Sequence, residues 1–316
     1  MKNGKTILIT GASGYIGSAL ASELAGEKKV AKLVCIGGPA GTDSGSFERL
    51  EKHCLKRKKN CVFERAAILD REKISSLLKG VDVAVHLASV HNVDECAKNP
   101  ERTWATNVEG TRLLLGECVK QNVKRIVFPS SILVYGNSDG KKITEETALS
   151  PQNEYARQKA ACEKYCAESG LNCIILRKSN VFGAGFITQT DTVIPIFILK
   201  ALKEKKIEIH GTGRQEKNFL YITDAVQAYK KAIFSDYAGI LNIGGRETRS
   251  ILSIAEIISK KLGAGITHIP SPREEPKKLG RVFICEKAEK EIGFVPKKSI
   301  EKGIDEFIRW AKKEAA

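Results

Sequence analysis

Residues 10–17 read Thr10-Gly11-Ala12-Ser13-Gly14-Tyr15-Ile16-Gly17, between an apolar run, Ile7 to Ile9, and a stripe formed by Ile16, Leu20 and Leu24 that ends at Gly26. The run is a strand and the stripe a helix. Gly11 permits a tight turn between them, Gly14 lets backbone N–H groups approach a pyrophosphate, and Gly17 allows the helix to pack close on the strand, while the helix N-terminus supplies positive potential. In a chain with 27 glycines three of them carry little weight alone. Their place at the first strand-to-helix turn gives them meaning, and Ser13, Tyr15 and Ile16 join them as expected dinucleotide contacts.

Downstream the alternation continues. Leu33 to Ile36 and Cys61 to Phe63 read as strands, and Arg71 to Leu78 as a helix opened by Asp70 and closed by Gly80. Val81 to Leu87 and Ile126 to Phe128 are strands on either side of a helix whose one face is Val108, Leu115 and Val119. A helix from about 154 to 169 and a strand from Cys173 to Leu176 complete the series. Strands apolar on both faces, alternating with helices, predict an α/β protein with a Rossmann-type, doubly wound parallel sheet. Beyond Arg177 the rhythm changes to a region punctuated by Gly and Lys, with helices at 194–202, 223–234, 253–262 and 300–312 and strands at 207–210 and 241–243. We read residues 1–177 as a dinucleotide-binding domain and 178–316 as mainly a smaller α/β substrate-binding domain, with about 219–244 returning to the first.

Composition narrows the class. The 316 residues are 42% hydrophobic and 28% charged, near the globular average, which argues against disorder and fibrous repeats. No apolar run approaches the roughly 18 residues that cross a bilayer, and none near Met1 is long enough for a signal peptide, so a cytoplasmic protein is expected. The net charge of +15 favours anionic partners such as a nucleotide. The run Lys56-Arg57-Lys58-Lys59 has no interleaved aromatics, and nucleic acid is not the expected partner. The nine cysteines are odd in number and form no Cys-x-x-Cys pair, so reduced thiols and no metal site are expected.

The chemistry is written around Tyr155-Ala156-Arg157-Gln158-Lys159. In this chain a Tyr-x-x-x-Lys spacing arises about once by chance, so context must carry it. On a helix the two side chains share a face, where an ammonium can lower the phenol's pKa and make it a usable base. Ser131 follows the strand Ile126 to Phe128, at the carboxyl edge where open sheets bind ligands. A hydroxyl there can hold a substrate oxygen while the phenolate takes its proton. His86, in an apolar strand, is read as packed or hydrogen-bonded locally rather than as a ligand, and Cys162 and Cys166 as small hydrophobes on one helix face.

With these residues the chain resembles an extended short-chain dehydrogenase/reductase of the nucleotide-sugar epimerase/dehydratase family. The likeness also runs through His86-Leu87-Ala88, Asn107-Val108-Glu109-Gly110-Thr111, Ser130-Ser131-Ile132-Leu133-Val134-Tyr135-Gly136, and Leu176-Arg177 followed by Asn180-Val181-Phe182-Gly183. Gly211-Thr212-Gly213-Arg214-Gln215, Phe219-Leu220-Tyr221-Ile222-Thr223-Asp224 and Asn242-Ile243-Gly244 continue it. The resemblance implies NAD as cofactor, Ser131, Tyr155 and Lys159 as the catalytic set, and Ile68, Leu87, Ala88, Ser89 and Asn107 among the cofactor residues. It implies that Asn180, Lys217 and Arg273 bind a nucleotide sugar, most simply a UDP-linked hexose, and that the chain is a homodimer through helices around 101–121 and 154–169.

Departures refine the reading. Ile36 is followed by Gly37-Gly38-Pro39 where an acid commonly binds the adenosine ribose, which leaves NADP open. Lys217 stands where the family has Arg, a point charge in place of a bidentate fork. At the tip after Ser131 the family's dehydratases carry Asp-Glu, whereas here stand Ile132 and Leu133, which move no proton. The expected activity is therefore 4-epimerisation through a transient 4-keto sugar. The rivals are an NAD(P)H-dependent sugar-nucleotide or carbonyl reductase and a non-catalytic nucleotide- or RNA-binding protein on the same fold.

Overall fold

The computed structural model describes residues 4–39, 45–58, 60–137, 142–271 and 282–314. Its first half alternates as β1 (Lys5–Thr10), α1 (Tyr15–Leu24), β2 (Val30–Gly37), α2 (Ser46–Arg57), β3 (Cys61–Arg65), α3 (Arg71–Leu77) and β4 (Val83–His86). Short helices α4 (Val93–Lys98) and α5 (Pro100–Trp104) lead through a π turn at Ala105–Glu109 into α6 (Gly110–Lys120) and β5 (Arg125–Ser131). A 3₁₀ turn (Ile132–Tyr135), β6 (Lys142–Ile143), α7 (Glu154–Glu168) and β7 (Cys173–Lys178) follow. The second half holds β8 (Asn180–Phe182), α8 (Val193–Glu204), β9 (Lys206–His210), β10 (Glu216–Tyr221), α9 (Ile222–Phe234), β11 (Gly239–Ile243) and β12 (Thr248–Ser250). It ends with α10 (Ile251–Leu262), β13 (Gly265–Ile269), β14 (Val282–Phe283), α11 (Glu286–Ile292) and α12 (Ile300–Glu314).

Seven strands form one parallel sheet in the order β11-β7-β5-β4-β1-β2-β3. The order reverses beside β1, and the two crossovers leave a crevice above the carboxyl ends of β1 and β4. Helices cover both faces, so each strand feeds two cores. Ile7 and Ile9 of β1 pack with α1, α2 and α9, while Leu8 packs with α3, α6 and α7. This is why the strands read as unbroken apolar runs rather than as alternating ones. β11 joins the sheet beside β7 although it lies far along the chain, and α9 packs on α1 and β5. The remaining strands make small satellites, β12-β10-β8, β13-β9 and β14-β6.

Two local readings differ from the expectation. Val119 does not face the core with Val108 and Leu115: it is 50% exposed, and Leu114 and Cys118 take the inward positions. The inward face of α6 centres on Thr111, Leu114 and Cys118 with Leu115 at its edge, so Val119, in the last turn, falls outside it. Helix α2 has no counterpart in the expected series, because its net character is polar. Its core face consists only of Phe47, Leu50 and Cys54, spaced three and four apart. Arg57 and Lys58 close the end of α2 by donating to the Ser22 and Val30 carbonyls, so these cations of the basic run are engaged within the fold, and Lys59 lies outside the described residues. Among the described residues no helix is long and apolar enough to cross a membrane.

Candidate active site

The crevice is a cleft of about 820 Å³ that runs from the glycine turn to Tyr155. Gly11 has φ +68, and a Cβ there would lie 2.6 Å from the Ala88 nitrogen, so both backbone shape and space demand glycine. A Cβ on Gly17 would meet the Gly11 carbonyl oxygen at 2.1 Å, which fixes how closely α1 approaches β1. No side chain caps α1, whose N-cap is Gly14. Its first-turn N–H groups are therefore left for a ligand, as a pyrophosphate requires. Ser13, Tyr15 and Ile16 line the same end. The Tyr15 hydroxyl donates to the Gly183 carbonyl at 2.7 Å, tying the turn to the loop after β8, and burial pushes its phenol pKa up.

At the adenosine end, β2 finishes on Gly37, where a Cβ would lie 2.9 Å from the Phe47 ring. The place of the expected acid is thus filled from α2. Arg65 lies over that ring at 5.0 Å from its centre, donates to the Gly38 carbonyl at 3.2 Å and pairs with Glu48 at 2.7 Å. Gly37, Gly38, Ala66, Ala67 and Ile68 line the wall. Asp70 turns away from it and caps α3, accepting from the Lys73 N–H at 3.1 Å.

Leu87, Ala88 and Ser89 line the middle of the cleft, braced from behind. Thr111 donates to the Asn107 carbonyl at 2.5 Å, so it can only accept from His86 Nε2–H, at 3.0 Å. Nδ1 of His86 then accepts from Thr10 at 2.8 Å. Burial first, and the Lys159 charge second, push the imidazole down to about 3, so His86 is a neutral spacer between β1 and α6. Asn107 does not line the cleft, which corrects its expected place among the cofactor contacts. Its carbonyl oxygen accepts from Ser89 Oγ at 3.0 Å and Val90 N at 2.7 Å, and its amide donates to Val90 O at 2.9 Å and Gln158 Oε1 at 2.7 Å. A fully engaged amide shapes the loop and has nothing left for a ligand.

Asn153 caps α7 by accepting from the Ala156 N–H at 2.9 Å, and the first turns of that helix present Tyr155 and Lys159 to the cleft at 5% and 4% exposure. The Lys159 Nζ lies 5.7 Å from the Tyr155 ring centre and 4.9 Å from that of Phe128. Ser131 ends β5 in the same wall and accepts from the Leu133 N–H at 3.2 Å. The expected depression of the phenol pKa is not found in this geometry. Burial, with the Cys96 and Cys162 thiols, pushes Tyr155 above the ordinary value, and burial also lowers Lys159.

Helix α7 is held by a buried pair: Arg177 of β7 donates to Glu163 at 2.6 Å, and its other nitrogen donates to the Tyr135 hydroxyl at 2.8 Å. The next residue, Lys178, enters the cleft wall and was not singled out from the sequence. Burial, and then the Lys159 charge, bring it down to about 8. Its signal was available: a lysine at the carboxyl end of an otherwise apolar strand.

The other expected substrate residues separate. Asn180 lines the cleft and donates to the Asn218 carbonyl at 3.1 Å. Lys217 is exposed on β10 opposite Arg249 and is not part of the lining, because Asn218, the neighbour that turns inward, has its amide tied to the Gly245 and Glu247 carbonyls. Arg273 lies outside the described residues. Cys162 donates to the Asn107 carbonyl at 3.3 Å, and among the described residues no three His, Cys, Asp or Glu side chains are grouped to hold a metal.

A profile of the NAD dependent epimerase/dehydratase family matches residues 7–244. The chain is 32% identical over 268 residues to a Bacillus subtilis (strain 168) protein named as an uncharacterized UDP-glucose epimerase, covering 83% of each. It is 31% identical over 270 residues to the dTDP-D-glucose 4,6-dehydratase of Dictyostelium discoideum, covering 80% of this chain and 61% of that one. Among solved structures, UDP-glucuronic acid 4-epimerase from Bacillus cereus, in complex with UDP-glucuronic acid and NAD, superposes with a TM-score of 0.87 at 27% identity, covering 98% of this chain and 99% of the other.

Proposed function

The chain belongs to the NAD dependent epimerase/dehydratase family, and from that premise we propose that it is a nucleotide-sugar 4-epimerase acting on a UDP-linked hexose through a transient 4-keto sugar. One observation carries the choice between epimerase and dehydratase: the wall after Ser131 continues into Ile132 and Leu133, so the reacting end has a serine, a tyrosine and a lysine but no acid-base pair in those two places. Eliminating water needs such a pair, and epimerisation does not.

NAD fits the residues present. The uncapped start of α1 would hold its pyrophosphate, Ile68 and Ala67 would flank the adenine, Leu87 to Ser89 would lie along the ribose, and Lys159 would reach the nicotinamide ribose. When bound, the nicotinamide accepts hydride from the sugar carbon and returns it. The protein's part is the proton. Tyr155 takes it from the C4 hydroxyl while Ser131 holds the same oxygen, and Lys159 supplies the positive field that the buried phenolate needs. The keto sugar turns about its diphosphate, anchored from the side of Asn180, and Tyr155 gives the proton back to the other face. In the ligand-free chain burial holds the phenol protonated, so its proton must leave for solvent, under the positive field of Lys159 and of a bound dinucleotide, before Tyr155 can act as the base. Homodimerisation through α5, α6 and α7 belongs to the same proposal, supported by Trp104 and Val119, which are 38% and 50% exposed on those helices.

The test is incubation of the purified protein with UDP-glucose and with UDP-glucuronate, with C4 epimers resolved by chromatography or NMR. Epimer formation without net change in nicotinamide absorbance is expected. Net oxidation or reduction of added dinucleotide, with no epimer, would replace the proposal by the reductase reading.

A further inference from the structure

Lys178 is a charged group of the reacting end that the mechanism does not use. It closes β7 at the carboxyl edge of the sheet, in register with Ser131 of β5, and lines the same wall as Ser131, Tyr155 and Lys159. Among the described residues neither Lys178 nor Lys159 is paired with a carboxylate. Among the described residues the cleft's sole acidic lining residue is Asp191, which is exposed at the rim, and its field reaches His91 along with those of the two lysines. Beside Lys178, Ser179 lines the cleft, and its buried hydroxyl has no hydrogen-bond partner among the described residues. Two ammonium groups in one desolvated wall repel each other, and the arrangement is offset when an anion enters between them.

Which anion follows from position. The dinucleotide's pyrophosphate belongs to the glycine turn at the opposite end. The sugar's diphosphate hangs from C1, across the ring from the C4 hydroxyl that must meet Tyr155. A carboxylate on C5, by contrast, is borne by the carbon next to C4 and travels with it to the Ser131 end. We propose that Lys178, with the Ser179 hydroxyl, makes this cleft selective for a nucleotide hexuronate over the corresponding neutral hexose. The inference rests on the nucleotide-sugar reading and specifies its substrate class.

The experiment is calorimetric titration of the dinucleotide-loaded Tyr155→Phe protein, which cannot turn over, with UDP-glucuronate, its C6 carboxamide and UDP-glucose. The same titrations are made on versions carrying Lys178→Met and Lys178→Arg. A charge-assisted contact predicts that the carboxylate binds about 10- to 100-fold more tightly than the carboxamide or the hexose. That ratio should fall to about one with Lys178→Met and be largely kept with Lys178→Arg. A ratio near one in the protein that retains Lys178, or a ratio that survives Lys178→Met, overturns the proposal while leaving the nucleotide-sugar reading standing. Binding of none of the three sugar nucleotides overturns that reading and this inference together. If Lys178→Met fails to fold, the carboxylate-to-carboxamide ratio in the protein that retains Lys178 still decides.

Discussion

Replacing Lys178 by Met should make the ligand-free protein more stable at neutral pH, which is the reverse of what deleting a buried polar contact usually does. The lysine's affinity for its proton falls from the ordinary 10.5 to about 8 in the folded chain, through burial and the like charge of Lys159. At about 1.4 kcal/mol per tenfold change in affinity, that fall is a penalty of about 3 kcal/mol on the folded state below pH 8. The direction follows from proton counting. Between about pH 8 and 10.5 the folded chain holds fewer protons at this site than the unfolded chain, so the penalty is fully present below 8 and disappears as the pH rises toward the unfolded value. Lys159, His91 and Asp191 share its cleft, so the difference between wild type and Lys178→Met reports the Lys178 charge together with its repulsion of Lys159 and His91. Urea unfolding followed by the fluorescence of Trp104 and Trp310 should give a variant about 2 to 3 kcal/mol more stable at pH 7, and the gap should close toward pH 10. A variant that is less stable at neutral pH, or a gap that does not change with pH, would refute the claim that this ammonium is held in the wall without a partner.

Four further outcomes follow. Tyr155→Phe should keep dinucleotide binding, measured by fluorescence titration, and lose at least about 100-fold in epimer formation, since a general acid-base group is removed and little else. Glu163→Ala leaves the Arg177 guanidinium buried without its 2.6 Å partner and should cost about 3–5 kcal/mol in urea unfolding, with Tyr155 and Lys159 displaced along with α7. Gly11→Ala asks for a Cβ 2.6 Å from the Ala88 nitrogen at φ +68, so equilibrium dialysis should find dinucleotide binding abolished. Gly37→Asp alone should bind NADH no better than wild type, because the Phe47 ring occupies the carboxylate's place; the double variant with Phe47→Ala should gain NADH over NADPH, and a gain from the single variant would refute that packing account.

The fold was legible because its signals are local. Continuous apolar strands, helical stripes between them, and a glycine turn at the first crossover are enough to call for a parallel sheet covered on both sides, and β1 to β5 and β7 follow that pattern. What escaped was non-periodic or weakly apolar. Helix α2 carries its core face on three residues among charges, and α6 buries the row Thr111, Leu114 and Cys118, so that Val119 points to solvent. Which of two neighbouring apolar rows a helix buries is set by what packs against it, which the chain's own period does not state.

The site divides along the same line. Gly11, Gly14 and Gly17 could be read from the chain, since their reason is backbone geometry within a single turn. Roles set by what lies across the sheet could not. Asn107 looks like a ligand contact until Ser89, Val90 and Gln158 are seen to consume its amide, and Gly37 looks like a missing acid until Phe47 is found in its place. Tyr155 and Lys159 look like a tuned pair on one helix, yet the ammonium sits over the ring and burial dominates the phenol. The charge at the reacting end is completed by Lys178, which meets Lys159 only because β7 runs in register with β5 at Ser131. A lysine and a tyrosine four residues apart therefore specify who moves the proton, whereas a strand register decides which sugar would be welcome there, and only the second depends on a residue that the motif does not contain.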